Sequence, residues 1–265
     1  MPTLVWILLA CLAGGLVSVL LASLVAFRIQ ARLVPVLVSY AVGALLGAVF
    51  LEILPHLFEQ TVDYGGTAAL VLAGMLGFFL LEKLLLWRHH HFDAEGGHGH
   101  GHAHDHGHGH GVGSGRAGVM VTVGDAFHNF TDGIMIAGAF IADTHLGIVT
   151  AAAIIAHEVP QEVGDFLILL DSGYSKARAL ALNALSSLAS VAGALLGYFA
   201  LSAATEWVPR ILAIAAAGML YVAVADLIPG LHRRTRLAET AQQFAFIALG
   251  IATVWLVHLA LGHSH

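Results

Sequence analysis

Residues 146–171 read LGIVTAAAIIAHEVPQEVGDFLILLD. The run is long and apolar enough to cross a bilayer, which takes about 20 residues of helix. Its middle nevertheless holds His157, Glu158, Gln161, Glu162 and Asp165. An acid at the bilayer centre costs roughly 2.5–3.5 kcal/mol on insertion scales, so such residues mark an ion path or a water-filled cavity. On a helix His157, Gln161 and Asp165 share one stripe, and Glu158 and Glu162 share the next. Pro160 has no N–H and its ring meets the carbonyl of Ala156, so the helix is expected to open there. The released carbonyl then needs water or a metal ion.

Seven further runs of similar character flank this one, at about 3–27, 34–58, 66–88, 119–141, 176–200, 208–230 and 239–261. Of 265 residues 58% are hydrophobic and only 11% are charged, against about 25% charged in a soluble domain. Lipid must therefore solvate most of the surface. The expected fold is an all-α integral membrane protein of eight transmembrane helices, one domain over residues 1–265. The first run is too long for a signal peptide and has no basic residue before its apolar core. It is followed by Arg28 and Arg32, so it reads as a retained helix.

Orientation follows from the distribution of basic residues. With the N-terminus outside, Arg28, Arg32, Lys83, Arg88, Arg116, Lys176, Arg178, Arg233, Arg234 and Arg236 all lie at cytoplasmic ends, and Arg210 alone lies outside. Eight spans then put both termini outside. The same scatter of basic residues speaks against a nucleic-acid partner, and the net charge of −6 adds little. Cys11 is the single cysteine, so no disulfide forms within one chain and the redox compartment stays open.

Glu52, Asp125, Asp132, Glu158, Glu162, Asp165 and Asp226 all fall inside spans, with no Lys or Arg at comparable depth. That asymmetry of sign points to cation traffic. The fourth span carries His128-Asn129-Phe130-Thr131-Asp132-Gly133. His128 and Asp132 are four apart and share a face, about 6 Å apart along the axis, while Asn129 faces the adjoining sector. If the fourth and fifth spans pack side by side, imidazole, carboxylate and amide groups converge at mid-membrane depth. Such a donor set suits zinc, and also iron, manganese or cadmium. A lone buried His or Asn is more often a helix–helix hydrogen bond; seven such groups on two consecutive spans are not.

An echo joins two other spans. The second reads Glu52-Ile53-Leu54-Pro55 and the seventh Asp226-Leu227-Ile228-Pro229. These spans run in opposite directions, as halves of an inverted repeat do, although acid-x-x-Pro can also recur by chance.

The motifs His-Asn-x-x-Asp-Gly and His-Glu-x-Pro-Gln-Glu-x-Gly-Asp-Phe resemble the signatures of the ZIP family of metal-ion transporters, in the branch with His-Glu-x-Pro-x-Glu-x-Gly-Asp-Phe. The resemblance covers essentially the whole chain. It implies uptake of zinc or related ions into the cytoplasm, and a fold in which spans 1–3 and 6–8 form an inverted repeat around spans 4 and 5. It further implies a first metal site of His128, Asp132, His157 and Gln161. A neighbouring second site would use Asn129 and Glu158, with Gln161 in the bridging position. Gln161 stands where the family usually has His or Glu, so a weaker, neutral ligand is expected there. No acidic sixth-span ligand has a counterpart near Asn183, Ser186 and Ser187. Along the rest of the path His56, Glu59 and Glu52 are expected toward the outer mouth. Asp125, Glu162, Asp165, Asp226 and His232 are expected toward the cytoplasm.

Residues 89–118 break the apolar pattern, with ten histidines between His89 and His110, many alternating with Gly. Such a composition builds no core and is expected to be a disordered cytoplasmic loop that binds metal weakly. Two rival readings fit less well. A cation-diffusion exporter resembles six spans with a soluble domain. An intramembrane zinc protease needs His-Glu-x-x-His, and here Gln161 replaces the second His and Pro160 lies inside the motif. The chain is therefore expected not to be an enzyme and to use no catalytic cofactor. The resemblance implies Zn2+ as the expected transported substrate, with Fe2+, Mn2+ and Cd2+ as alternatives. Its partners are the metal ion and the lipid bilayer, and the reading allows a homodimer. Compact loops and the lack of an ectodomain suit a bacterial inner membrane.

Overall fold

The structure is a computed structural model that describes residues 2–28, 34–94, 114–232 and 236–262. Among the described residues eight long helical segments follow one another. They are α1 (Thr3–Arg28); α2 (Val34–Ala48), continued through a π-helical turn at Val49–Ile53 into α3 (Leu54–Gln60); α4 (Tyr64–Ala94); α5 (Ser114–Ala142); α6 (Thr144–Asp171); α7 (Lys176–Ser187) with α8 (Ala189–Ala203); α9 (Val208–Tyr221), continued through a π-helical turn at Val222–Leu227 into α10 (Ile228–His232); and α11 (Leu237–Gly262). Six of these segments are long and apolar enough to cross a membrane, and the polar-centred α5 and α6 are the other two. Leu16 and Leu20 on α1, Leu72, Leu76 and Leu80 on α4, and Trp255 and Leu256 on α11 are exposed, and such contiguous apolar stripes are what a lipid-facing surface presents.

The expected loop at 89–118 needs correction at its edges. α4 continues to Ala94 and α5 begins at Ser114, because a helix already started extends through His and Gly more readily than hydropathy suggests. Most of the histidine-rich stretch, residues 95–113, lies outside the described residues.

Both π-helical turns end two residues before a proline. Pro55 and Pro229 lack an N–H and crowd the carbonyls four residues back, at Leu51 and Ala225. A wider turn relieves that crowding: Leu54 donates its N–H to the Val49 carbonyl, and Ile228 to that of Ala223, each five residues back. Glu52 lies in the first of these turns and Asp226 in the second.

The segments pack in a regular pattern. α1 lies against α6 and α2 against α11; α8 lies against α5 and α9 against α4, while α5 and α6 pack on each other. Where α5 meets α8 the backbones nearly touch. A Cβ on Gly133 would strike the Ser190 carbonyl, and one on Gly193 the Phe130 carbonyl. Small residues at such crossings are how helices associate in lipid, where burial alone does not drive them together. Among the described residues, the two larger of four apolar clusters fill most of the interior. One is built around Leu45, Ile53, Leu212 and Met219 and the other around Ile7, Ile136, Phe140 and Ile154.

Candidate metal-binding site between α5 and α6

Asp143 is the single residue between α5 and α6, so the two helices return side by side. Its carboxylate caps α6 by accepting from Leu146 N at 3.0 Å. The far end of α6 stops at Gly173, whose φ of 86° only glycine adopts without strain. There Tyr174 N donates to Leu169 O and Gly173 N to Leu170 O, a Schellman closure. Both ends of α6 are thus held, and its middle is positioned against α5.

At that middle four side chains converge. His128 Nε2 and His157 Nε2 are 3.1 Å apart. Asp132 Oδ2 is 3.5 Å from the first ring nitrogen and 3.4 Å from the second. Glu158 Oε1 is 3.6 and 3.7 Å from the same two atoms. Ligands about 2.0–2.1 Å from a tetrahedral zinc ion are about 3.3 Å from one another, and these five separations lie near that value. His157 Nδ1 faces the Ala153 carbonyl at 3.4 Å, which leaves Nε2 directed at the cluster. A ring nitrogen held by a backbone carbonyl in this way fixes the orientation of a ligand histidine.

Asp132, His157 and Glu158 are buried. Asp132 Oδ2 and Glu158 Oε1 lack hydrogen-bond partners, and two unpartnered buried carboxylate oxygens beside two imidazoles call for a cation or for protons. His128 is the partly open member, with 24% of its side chain exposed. It borders a cavity of about 140 Å³ that is also lined by Thr131, Met135, Tyr221 and Asp226.

A second acidic group lies one turn along. Asp125, Glu158 and Glu162 bring carboxylate oxygens within 4.8 Å of one another. Here α7 supplies the polar partners. Ser186 donates to Asp125 Oδ2, Ser187 Oγ to Glu162 Oε1 at 2.7 Å, and Asn183 Nδ2 to the Glu162 carbonyl at 3.0 Å.

Some expectations shift in the structure. The family resemblance groups Glu158 with Asn129 in a neighbouring site, and Glu158 stands in both groups, reaching the two imidazoles as well as the carboxylates of Asp125 and Glu162. Asn129 donates from Nδ2 to Asp125 Oδ1 at 2.9 Å. Glu158 follows His157 by one residue, and a glutamate is long enough to swing back toward the same point. Pro160 does not open the helix, for α6 is continuous from Thr144 to Asp171. Losing one N–H removes one bond from a 28-residue helix that α1, α2 and α5 grip on several sides. Gln161 is half-buried one turn beyond His157, and Asp165 one turn beyond that. Asp226 and His232 are exposed, as is Glu59, and His56 Nε2 meets Gln60 Nε2 at 2.9 Å. Glu52 is buried against His145 and His258. Neither histidine stands out in the sequence, each being isolated near a helix end.

The chain is similar to known proteins over most of its length. The family model described as ZIP Zinc transporter matches residues 3–258. Zinc transporter zipt-7.2 of Caenorhabditis elegans is 37% identical over 140 residues, covering 50% of this chain and 30% of its own length. The Zinc transporter ZIP13 homolog of Drosophila melanogaster is 30% identical over 286 residues, with 88% of this chain and 80% of its own covered. Zinc transporter YKE4 of Saccharomyces cerevisiae is 27% identical over 241 residues, covering 83% and 70%.

Proposed function

This chain belongs to the ZIP zinc transporter family, and on that premise we propose that it carries divalent transition-metal ions, zinc first among them, into the cytoplasm through the cluster between α5 and α6. The observation that carries this reading is the four-donor set of His128, Asp132, His157 and Glu158, three of them buried, held between two helices of a multi-pass membrane protein at separations near those of zinc ligands. Gln161 would add a neutral oxygen at the edge of the set, and Asn129 and Glu162 belong to the acidic group beside it.

Eight spans in an inverted repeat fit the packing. Exchanging spans 1, 2, 3 and 4 for 6, 7, 8 and 5 turns the contact of α1 with α6 into that of α8 with α5. The same exchange turns the contact of α2 with α11 into that of α9 with α4. The two π-helical turns with their acid-x-x-Pro sequences also exchange. Both termini then lie outside, the Glu52 end of the bundle faces outward, and Asp125, Glu162 and Asp165 lead from the site toward the cytoplasm. The relatives named above are from animals and yeast, so they lend no support to a bacterial inner membrane.

Zinc flux into proteoliposomes with the protein in one orientation tests this. Zinc pulsed on the outer face should enter, saturate with concentration, and be slowed by Cd2+, Fe2+ or Mn2+. Flux no greater than in protein-free vesicles in either orientation contradicts the reading.

A further inference from the structure

Twelve residues before His157, α6 carries His145, and there a second set of donors meets. Glu52 comes from the π-helical turn after α2, His145 from the first turn of α6, and His258 from the last turns of α11. The Glu52 side chain, only 6% exposed, reaches both rings: Oε1 is 2.8 Å from His258 Nδ1 and Oε2 is 3.5 Å from His145 Nδ1. The rings meet edge to face with centroids 5.6 Å apart. One donor atom from each residue lies within 4.8 Å of the other two. His145 Nε2 is buried without a hydrogen-bond partner.

We propose that Glu52, His145 and His258 form a second divalent-metal site, which takes Zn2+ at the rim of the bundle ahead of the site between α5 and α6. Two imidazoles and one carboxylate are a zinc donor set, and three protein ligands leave a fourth position open. His258 is half exposed, with 50% of its side chain accessible, so water fills that position and the ion exchanges with bulk. Twelve residues of helix put about 18 Å between this set and His157. No ion bridges the two, and each binds on its own. The π-helical turn imposed by Pro55 places Glu52 here, whereas Asp226, in the matching turn, lines the cavity beside His128. The role in capture rests on the inward direction proposed above; the binding does not.

The full chain in lipid nanodiscs tests the site directly. Diethylpyrocarbonate acylates accessible imidazoles, and peptide mass spectrometry reads each histidine separately, which keeps the histidine-rich stretch from obscuring the result. With tens of micromolar Zn2+ present, acylation of His145 and His258 should fall together, by about fivefold, while Mg2+ does nothing. The His128→Ala variant should keep this protection and Glu52→Gln should lose most of it. Absence of protection at zinc concentrations that saturate flux overturns the site. So does protection that vanishes in His128→Ala, because the effect would then report a shape change driven from the buried cluster.

In proteoliposomes His258→Ala should raise the zinc concentration for half-maximal flux about fivefold, and an unchanged concentration overturns the capture role. If the unaltered protein carries no zinc, the transport reading fails while protection still reports the rim site.

Discussion

His157 and His145 stand on one helix, twelve residues apart, and their surroundings differ in donor number, burial and access. His157 joins three other donors, two of them carboxylates, in a place where three of the four side chains are almost wholly enclosed. His145 joins two donors, one of them half open to solvent. Enclosed carboxylates cannot be satisfied by bulk water, so a cation or protons must neutralise them. At the rim, water can take over whatever the metal leaves. On the proposed reading the same chemistry makes an obligatory station in one place and an adjustable one in the other.

Removing one ligand from each set separates them most sharply. His157→Ala takes a fixed ligand from the enclosed cluster, and zinc flux should fall by at least about 100-fold, equivalent to about 2.7 kcal/mol. His145→Ala should change flux at low zinc by about fivefold. Equal losses measured side by side in reconstituted vesicles break the comparison.

Packing around the enclosed set offers a second way to break it. At Gly193 a side chain would meet the Phe130 carbonyl, midway between His128 and Asp132. Gly193→Val should push α5 away, lower flux about tenfold, and drop the melting temperature in detergent by several degrees. A wild-type melting temperature and flux would mean that close contact between α5 and α8 does not position the ligands.

Protons sharpen the comparison from another side. Imidazole and carboxylate bind metal only when deprotonated, so protons and zinc compete. Lowering the outer pH from about 7.5 to about 5.5 should raise the zinc concentration for half-maximal flux by roughly tenfold. A concentration that falls or stays constant as pH drops contradicts competition at either set.

The smallest effect belongs to Gln161. An amide oxygen carries no charge and bridges two ions poorly. Gln161→Glu should tighten zinc at the enclosed cluster by a few-fold and favour a second ion, measured as bound zinc per protomer. Two tightly held ions in the unaltered site, unchanged by this substitution, would refute the role given to the amide.

Much of this was legible in the sequence because lipid imposes long apolar runs. The helix boundaries fall within a few residues of the runs read from hydropathy, apart from α4 and α5, which extend past the apolar edge toward the histidine-rich stretch. His128, Asp132 and His157 stood out because polar side chains in such runs need a reason. The grouping of Glu158 with them did not, since periodicity assigns faces to backbones and cannot tell how far a glutamate bends. Pro160 shows the opposite error: a local rule predicted a break that packing on neighbouring helices overrides. The π-helical turns left only acid-x-x-Pro as a trace. His145 and His258 left none, because only the docking of α2, α6 and α11 brings Glu52 between them.

On the proposed function, the transported ion rests between α5 and α6. Zinc-edge anomalous diffraction from crystals of the full chain grown with zinc locates the ion itself. A strong anomalous peak is expected about 2.0–2.1 Å from the Nε2 atoms of His128 and His157, with carboxylate oxygens of Asp132 and Glu158 completing its shell. Crystals that hold zinc elsewhere on the chain, with no anomalous density between these two helices, would contradict it.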